Sequence, residues 1–169
     1  MWLHRAKVPK LAEDMVRALT QAGDIEAEAP REVQADLEAV LNQYVADEQE
    51  ITERARDMVA SRGQPQSELS RVKKLVADQK HVKIGDEAID YLLDQLIEIL
   101  MHSSNVDEVF AEDHVLRVRM REPLRKQFAA EEQLEQEVRG RLKHVQEGTQ
   151  MWEIEYRRMM EDIKRRKGF

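Results

Sequence analysis

The side chains best suited to chemistry crowd into one stretch. His102, Asp107, Glu108, Glu112, Asp113 and His114 offer imidazole and carboxylate groups of the kind that bind divalent metals. Their spacing argues against a site, because helical ligand pairs stand three or four residues apart and these histidines are 12 apart across a turn. A histidine leaving one helix and acids entering the next are explained by the helix dipole. A second set is an acidic stripe at helical spacing, Asp86, Asp90 and Asp94, with Glu87 and Glu98 close by. Such carboxylates could serve as a general acid and base, face water, or dock against cations of this chain or of a partner. A third set is basic: Arg117, Arg121 and Arg125 share a helix face, Arg119 and Lys126 lie off it, and further cations run from Arg157 to Lys167. Segments 117–126 and 157–167 could contact phosphates, but no interleaved aromatics supply a stacking platform and the net charge is −7.

Several chemistries lack their residues altogether. With no cysteine there is no disulfide, thiolate nucleophile or Cys-ligated zinc, which suits a reducing, cytoplasmic setting. No glycine-rich phosphate loop, G-x-S-x-G elbow or dinucleotide fingerprint occurs. Ser103 and Ser104 beside His102 read as a turn, and Met101, Met120, Met151, Met159 and Met160 as core filling. The expectation is a protein that is not an enzyme, with no metal and no cofactor.

The elements that must position these groups are helices. Of 169 residues 36% are charged and 5% aromatic, with six glycines and four prolines. Apolar positions 8, 11, 12, 15, 16 and 19 predict a first helix over 8–22, with Pro9 in its first turn and Gly23 at its end. A long helix follows over 30–62, its stripe interrupted at Asp47 and Glu48, and Ser67 is placed to cap a short third helix through Leu69, Val72, Leu75 and Val76. Asp86 is placed to cap a helix over 87–102 that is apolar most of the way round and therefore expected at the centre of the core. A second long helix over 111–146, broken or kinked at Pro123, and a last helix over 150–167 complete the order. The apolar run from Ile84 to Met101 carries Asp86, Glu87, Asp90, Asp94 and Glu98, so it reads as buried helix and not a membrane span.

The order short, long, short occurs twice. Leu11, Met15, Val16 and Leu19 with Asp24-Ile25-Glu26 recur 81 residues on as Leu92, Leu96, Ile97 and Leu100 with Asn105-Val106-Asp107. Beyond the turn the offset becomes 83, matching Leu41, Glu48 and Ile51 to Leu124, Glu131 and Leu134, with two residues inserted before Pro123. The expected fold is all-α: a tandem duplication of a three-helix unit, 1–83 and 84–169, with elongated helical arms around a central apolar helix.

The stretch Ile84-Gly85-Asp86-Glu87-Ala88-Ile89-Asp90-Tyr91, continuing from Ile97 through Met101-His102-Ser103-Ser104-Asn105-Val106-Asp107 to His114, resembles the bacterial domain-of-unknown-function family number 507. The opening Lys7-Val8-Pro9 and the closing Ile163-Lys164-Arg165-Arg166-Lys167 carry the same resemblance, which spans essentially the whole chain. It implies an all-helical bacterial protein and brings no catalytic or binding residues with it. From the residues themselves the expected role is a cytoplasmic helical interaction or assembly module whose partner is another protein, with no membrane contact. The candidate interaction surface is Asp86, Asp90 and Asp94 with Arg117, Arg121 and Arg125. A nucleic-acid-associated protein is the alternative, and a metal-dependent enzyme the third.

Overall fold

A computed structural model describes residues 2–168. The apolar stripe of the first helix, α1 (Val8–Gln21), buries Val8, Leu11, Ala12, Met15, Val16 and Leu19. Its end is closed by Gly23 in the left-handed conformation, with the Gly23 N–H on the Thr20 carbonyl and the Asp24 N–H on that of Leu19. A two-residue strand, β1 (Ile25–Glu26), leads to α2 (Pro30–Ser61), which is roughly 48 Å long at 1.5 Å per residue. The helices α3 (Leu69–Gln79) and α4 (Ala88–His102) follow, then β2 (Glu108–Val109), α5 (Asp113–Arg141) and α6 (Gln150–Lys167).

The first two helices, α4 and α5 close into a four-helix ring. Both α1 and α4 pack against the long helices α2 and α5, and so occupy opposite corners between them. The apolar faces of both halves of the chain meet in one core, from Leu3 through Leu19, Leu37 and Leu41 to Leu96, Met120 and Leu124. The two short strands pair antiparallel across the halves, Ile25 opposite Val109 and Glu26 opposite Glu108. Residues 1–83 and 84–169 therefore share their interior.

The third helix lies on the distal half of α2 and adds Val72, Val76 and Ala77 to the main core. It too ends on a left-handed residue, but that residue is His81, where a side chain must sit in a conformation glycine favours. On the distal half of α5 rests α6, enclosing a separate small cluster of Leu134, Val138, Leu142 and Ile163, flanked by Trp152 and Tyr156.

Several expectations from sequence are revised. The fourth helix is not the lone centre: Met101 is exposed, Ile89, Tyr91 and Ile99 are only partly buried, and α1 is buried as deeply. Pro123 does not interrupt α5, because buried Met120 and Leu124 anchor both sides and only one helix N–H is lost. The long helix stops at Arg141 and not 146, where the chain must turn so that α6 can return Ile163 to Leu134 and Val138. Ser67 and Asp86 do not cap helices; each lies in a 3-10 turn preceding α3 or α4, with no side-chain cap hydrogen bond.

Candidate functional site

Helical periodicity carries two glutamates into the interior. Glu48 follows Tyr44 and Val45 and precedes Ile51 on the buried stripe of α2, so it is only 5% exposed. Glu131 lies between Leu124 and Leu134 on that of α5 and is 2% exposed. Both line a cleft of about 550 Å³ that also touches α3, the chain entering α4, and Trp2. That volume falls within the range of small-ligand sites, about 300–1,000 Å³.

The two carboxylates have different surroundings. Glu131 Oε2 stands 3.1 Å from Lys164 Nζ on α6 and 3.1 Å from His4 Nε2, and Lys164 Nζ lies 2.6 Å from that same ring nitrogen. Burial alone would raise the Glu131 pKa, but the hydrogen bonds and charges of His4 and Lys164 outweigh it and hold the carboxyl below the ordinary glutamate value. Glu48 has no such hydrogen bonds among the described residues. Its Oε2 is buried without a hydrogen-bond partner among the described residues, and burial pushes its pKa up against the weaker fields of the N-terminal charge, Lys73 and His4. Glu131 Oε1 is likewise buried and unpartnered. Aromatic rings form the wall beside them: Trp2 stacks at a tilt 5.5 Å from Phe128 and 6.2 Å from Tyr44. Burial, then the Glu48 charge, raises the Tyr44 phenol, whose hydroxyl donates to the Lys83 carbonyl at 3.2 Å.

A second surface joins α4 and α5. Arg117 Nη2 reaches Asp94 at 2.5 Å and its Nε reaches Asp113 at 2.7 Å, while Arg121 bonds Asp90 at 2.6 Å. Three residues before Asp113, Phe110 is 58% exposed although its backbone is fixed: the N–H groups of Phe110 and Ala111 both donate to the Asp24 carbonyl, at 2.9 and 3.2 Å. Asp24 is itself buried and accepts from Arg119 Nε at 2.8 Å.

A family model described as a protein of unknown function, DUF507, matches residues 1–169. The chain belongs to the DUF507 family. No curated protein matches it. In this DUF507 protein the six residues singled out from sequence fall into three groups. Asp90, Asp94, Arg117 and Arg121 come together as cross-helix ion pairs, Asp86 faces the cleft from the turn before α4, and Arg125 is exposed without an ion pair among the described residues. The stretch around His102 is dispersed. Asp107 accepts from the Glu28 N–H at 2.7 Å, Asp113 holds Arg117, and His114 lies 3.4 Å from Glu112. Among the described residues no group of three or more His, Asp or Glu side chains is placed to hold a metal ion. No helix among them is long and apolar enough to cross a membrane. Sequence reasoning passed over Trp2, Glu48 and Glu131 as site residues. Their signal was an acid recurring at one position of the apolar stripe in both long helices.

Proposed function

We propose that this DUF507 protein is a cytoplasmic, non-catalytic helical interaction module whose partner is another protein. The observation that carries the reading is Phe110, a large aromatic held rigidly in the open by two backbone hydrogen bonds to Asp24. Rigid aromatic anchors are the groups around which protein interfaces concentrate their binding energy. Val118 on α5 is 68% exposed, and Arg121 and Arg125 follow it at helical spacing on the same face. Asp90 and Asp94 with the Arg117, Arg121 and Arg125 face supply a polar border to this apolar pair, with two of the arginines already oriented by Asp94 and Asp90, whereas Asp86 faces the cleft.

Affinity capture from the source cells with the wild-type chain, a Phe110→Ala/Val118→Ala variant and an Arg121→Ala/Arg125→Ala variant tests the reading. Loss of a specific co-purifying protein in the first variant, with weakening in the second, is expected; identical captures from all three would sink it. A nucleic-acid role has less support, since the terminal cations are engaged: Lys164 by Glu131, Arg165 and Arg166 by Asp162, and Lys167 by Glu137. Probe binding that falls steeply with salt would restore that role.

We also infer that the chain is a duplicated three-helix unit. Supporting this, Val33, Leu37, Leu41, Glu48, Ile51, Ala55 and Val59 of α2, and the positions 83 residues on, Leu116, Met120, Leu124, Glu131, Leu134, Val138 and Leu142, are all buried. The strand pairing maps onto itself under the same offset, Ile25 to Glu108 and Glu26 to Val109. The two extra residues then fall between α4 and β2, earlier than the turn triplet at Asn105 suggests.

A further inference from the structure

The interaction surface does not use the cleft at Glu48 and Glu131, and the buried acids there ask for a ligand of their own. We propose that this cleft is a binding site for a primary ammonium on an aliphatic stem, best met by a linear polyamine. Seven acidic residues and three lysines line the cleft, so its field favours a cation. An acidic lining alone would only be a solvated surface. Here two carboxylate oxygens, Glu48 Oε2 and Glu131 Oε1, belong to residues that line that cleft, are almost wholly buried, and have no donor among the described residues. A buried charged acceptor left unpaired is costly, and a donor entering from the cleft would satisfy it.

The shape of the site selects among cations. A bare divalent metal needs several oxygen or nitrogen ligands converging within about 2–2.6 Å, and no such group forms among the described residues. An alkylammonium needs one or two acceptors for its head and apolar surface for its stem. Trp2 and Phe128 provide that surface beside Glu48 and Glu131, and an aromatic face also attracts an ammonium directly. Glu132 and Glu135, one and four residues beyond Glu131 on α5, add carboxylates for the further ammonium groups of a polyamine. The asymmetry between the two glutamates fits the same account: burial raises the Glu48 pKa, a penalty that a cation entering the cleft would offset.

Calorimetric titration at low ionic strength of the full chain with spermidine, and separately with an end-blocked lysine-containing peptide, tests the proposal. The wild type is expected to bind one equivalent, and Glu48→Gln to weaken binding at least tenfold while keeping its helical circular dichroism. Glu131→Gln is expected to act in the same direction. Should that variant fail to fold because His4 and Lys164 lose their carboxylate, Glu48→Gln alone carries the test. Tighter binding of spermidine assigns the site to a free polyamine, and tighter binding of the peptide assigns the same ammonium site to a lysine of a partner. No binding of either by the wild type, or unchanged binding by Glu48→Gln, overturns the proposal. Because neither titration touches Phe110 or Val118, failure here leaves the interaction surface standing, and the reverse holds too.

Discussion

Two glutamates at matching positions of the long helices should respond to the same substitution with opposite signs. Glutamine keeps the shape and removes the charge. At Glu131 it abolishes the carboxylate that Lys164 Nζ and His4 Nε2 approach at 3.1 Å, leaving a lysine only 20% exposed without its counter-charge. A charge-assisted hydrogen bond is worth about 1.5–3 kcal/mol, and the glutamine oxygen can still accept weakly from Lys164, so the expected loss is about 2 kcal/mol. At Glu48 the carboxyl Oε2 has no donor among the described residues, and leaving such a group buried costs about 1–3 kcal/mol. Glutamine still buries a polar group there, so the expected gain is about 1 kcal/mol. The two variants should therefore differ by about 3 kcal/mol, or roughly 6–12 °C in Tm for a chain of this size.

Urea unfolding followed at 222 nm, at neutral pH and again in acid, measures both the magnitude and the sign. The Glu131 pKa is lowered in the folded state, so its contribution is present above the ordinary value of 4.5 and is lost as pH falls through the folded value. The Glu48 pKa is raised, so the advantage of Glu48→Gln grows as pH rises through the folded value and disappears below 4.5. Equal effects of one sign, or a destabilised Glu48→Gln at neutral pH, would refute the reasoning.

Three further outcomes are expected. Removing Asp90, Arg121 or both should give a double-mutant coupling below about 1 kcal/mol that vanishes in 1 M salt, because the pair is exposed; a larger, salt-insensitive coupling would mean the pair is structural. Ile163→Ala should release α6, abolishing amide-exchange protection over 150–167 while the four-helix ring keeps its own, since Ile163 closes a cluster separate from the main core. His81→Gly should raise stability by about 1 kcal/mol in thermal unfolding by relieving a left-handed histidine at the end of α3.

What the sequence made legible follows from what sequence patterns encode. Stripes at 8, 11, 12, 15, 16 and 19 and at 33, 37, 41 and 44 report burial on one helix face, and Pro9, Gly23, Pro30 and Gly63 report helix ends, so α1 and α2 lie within a residue or so of expectation. A stripe does not say which partner covers it. That α1 and α4 both bridge α2 and α5 depends on chain segments 80 residues apart, and an apolar helix such as α4 therefore looked more central than it is. Local chemistry also misled where tertiary packing overrode it: Pro123 reads as a break, yet Met120 and Leu124 are anchored in the core on both sides of it. The charge pairs were half legible. Helical spacing put Asp90 with Asp94 and Arg117 with Arg121, but only the α4–α5 packing shows the two sets meeting. Glu48 and Glu131 were visible as a repeated acid and were passed over, because a single charge within an apolar stripe looks like an interruption until its burial is known.

The most direct test of the proposed interaction role is site-specific photocrosslinking in living cells. A photoreactive residue at position 110 is compared with one at position 54, where Arg54 is exposed on α2 away from the proposed surface. A discrete adduct from position 110 and none from position 54 is the predicted result; no adduct from 110, or the same adducts from both, would contradict it.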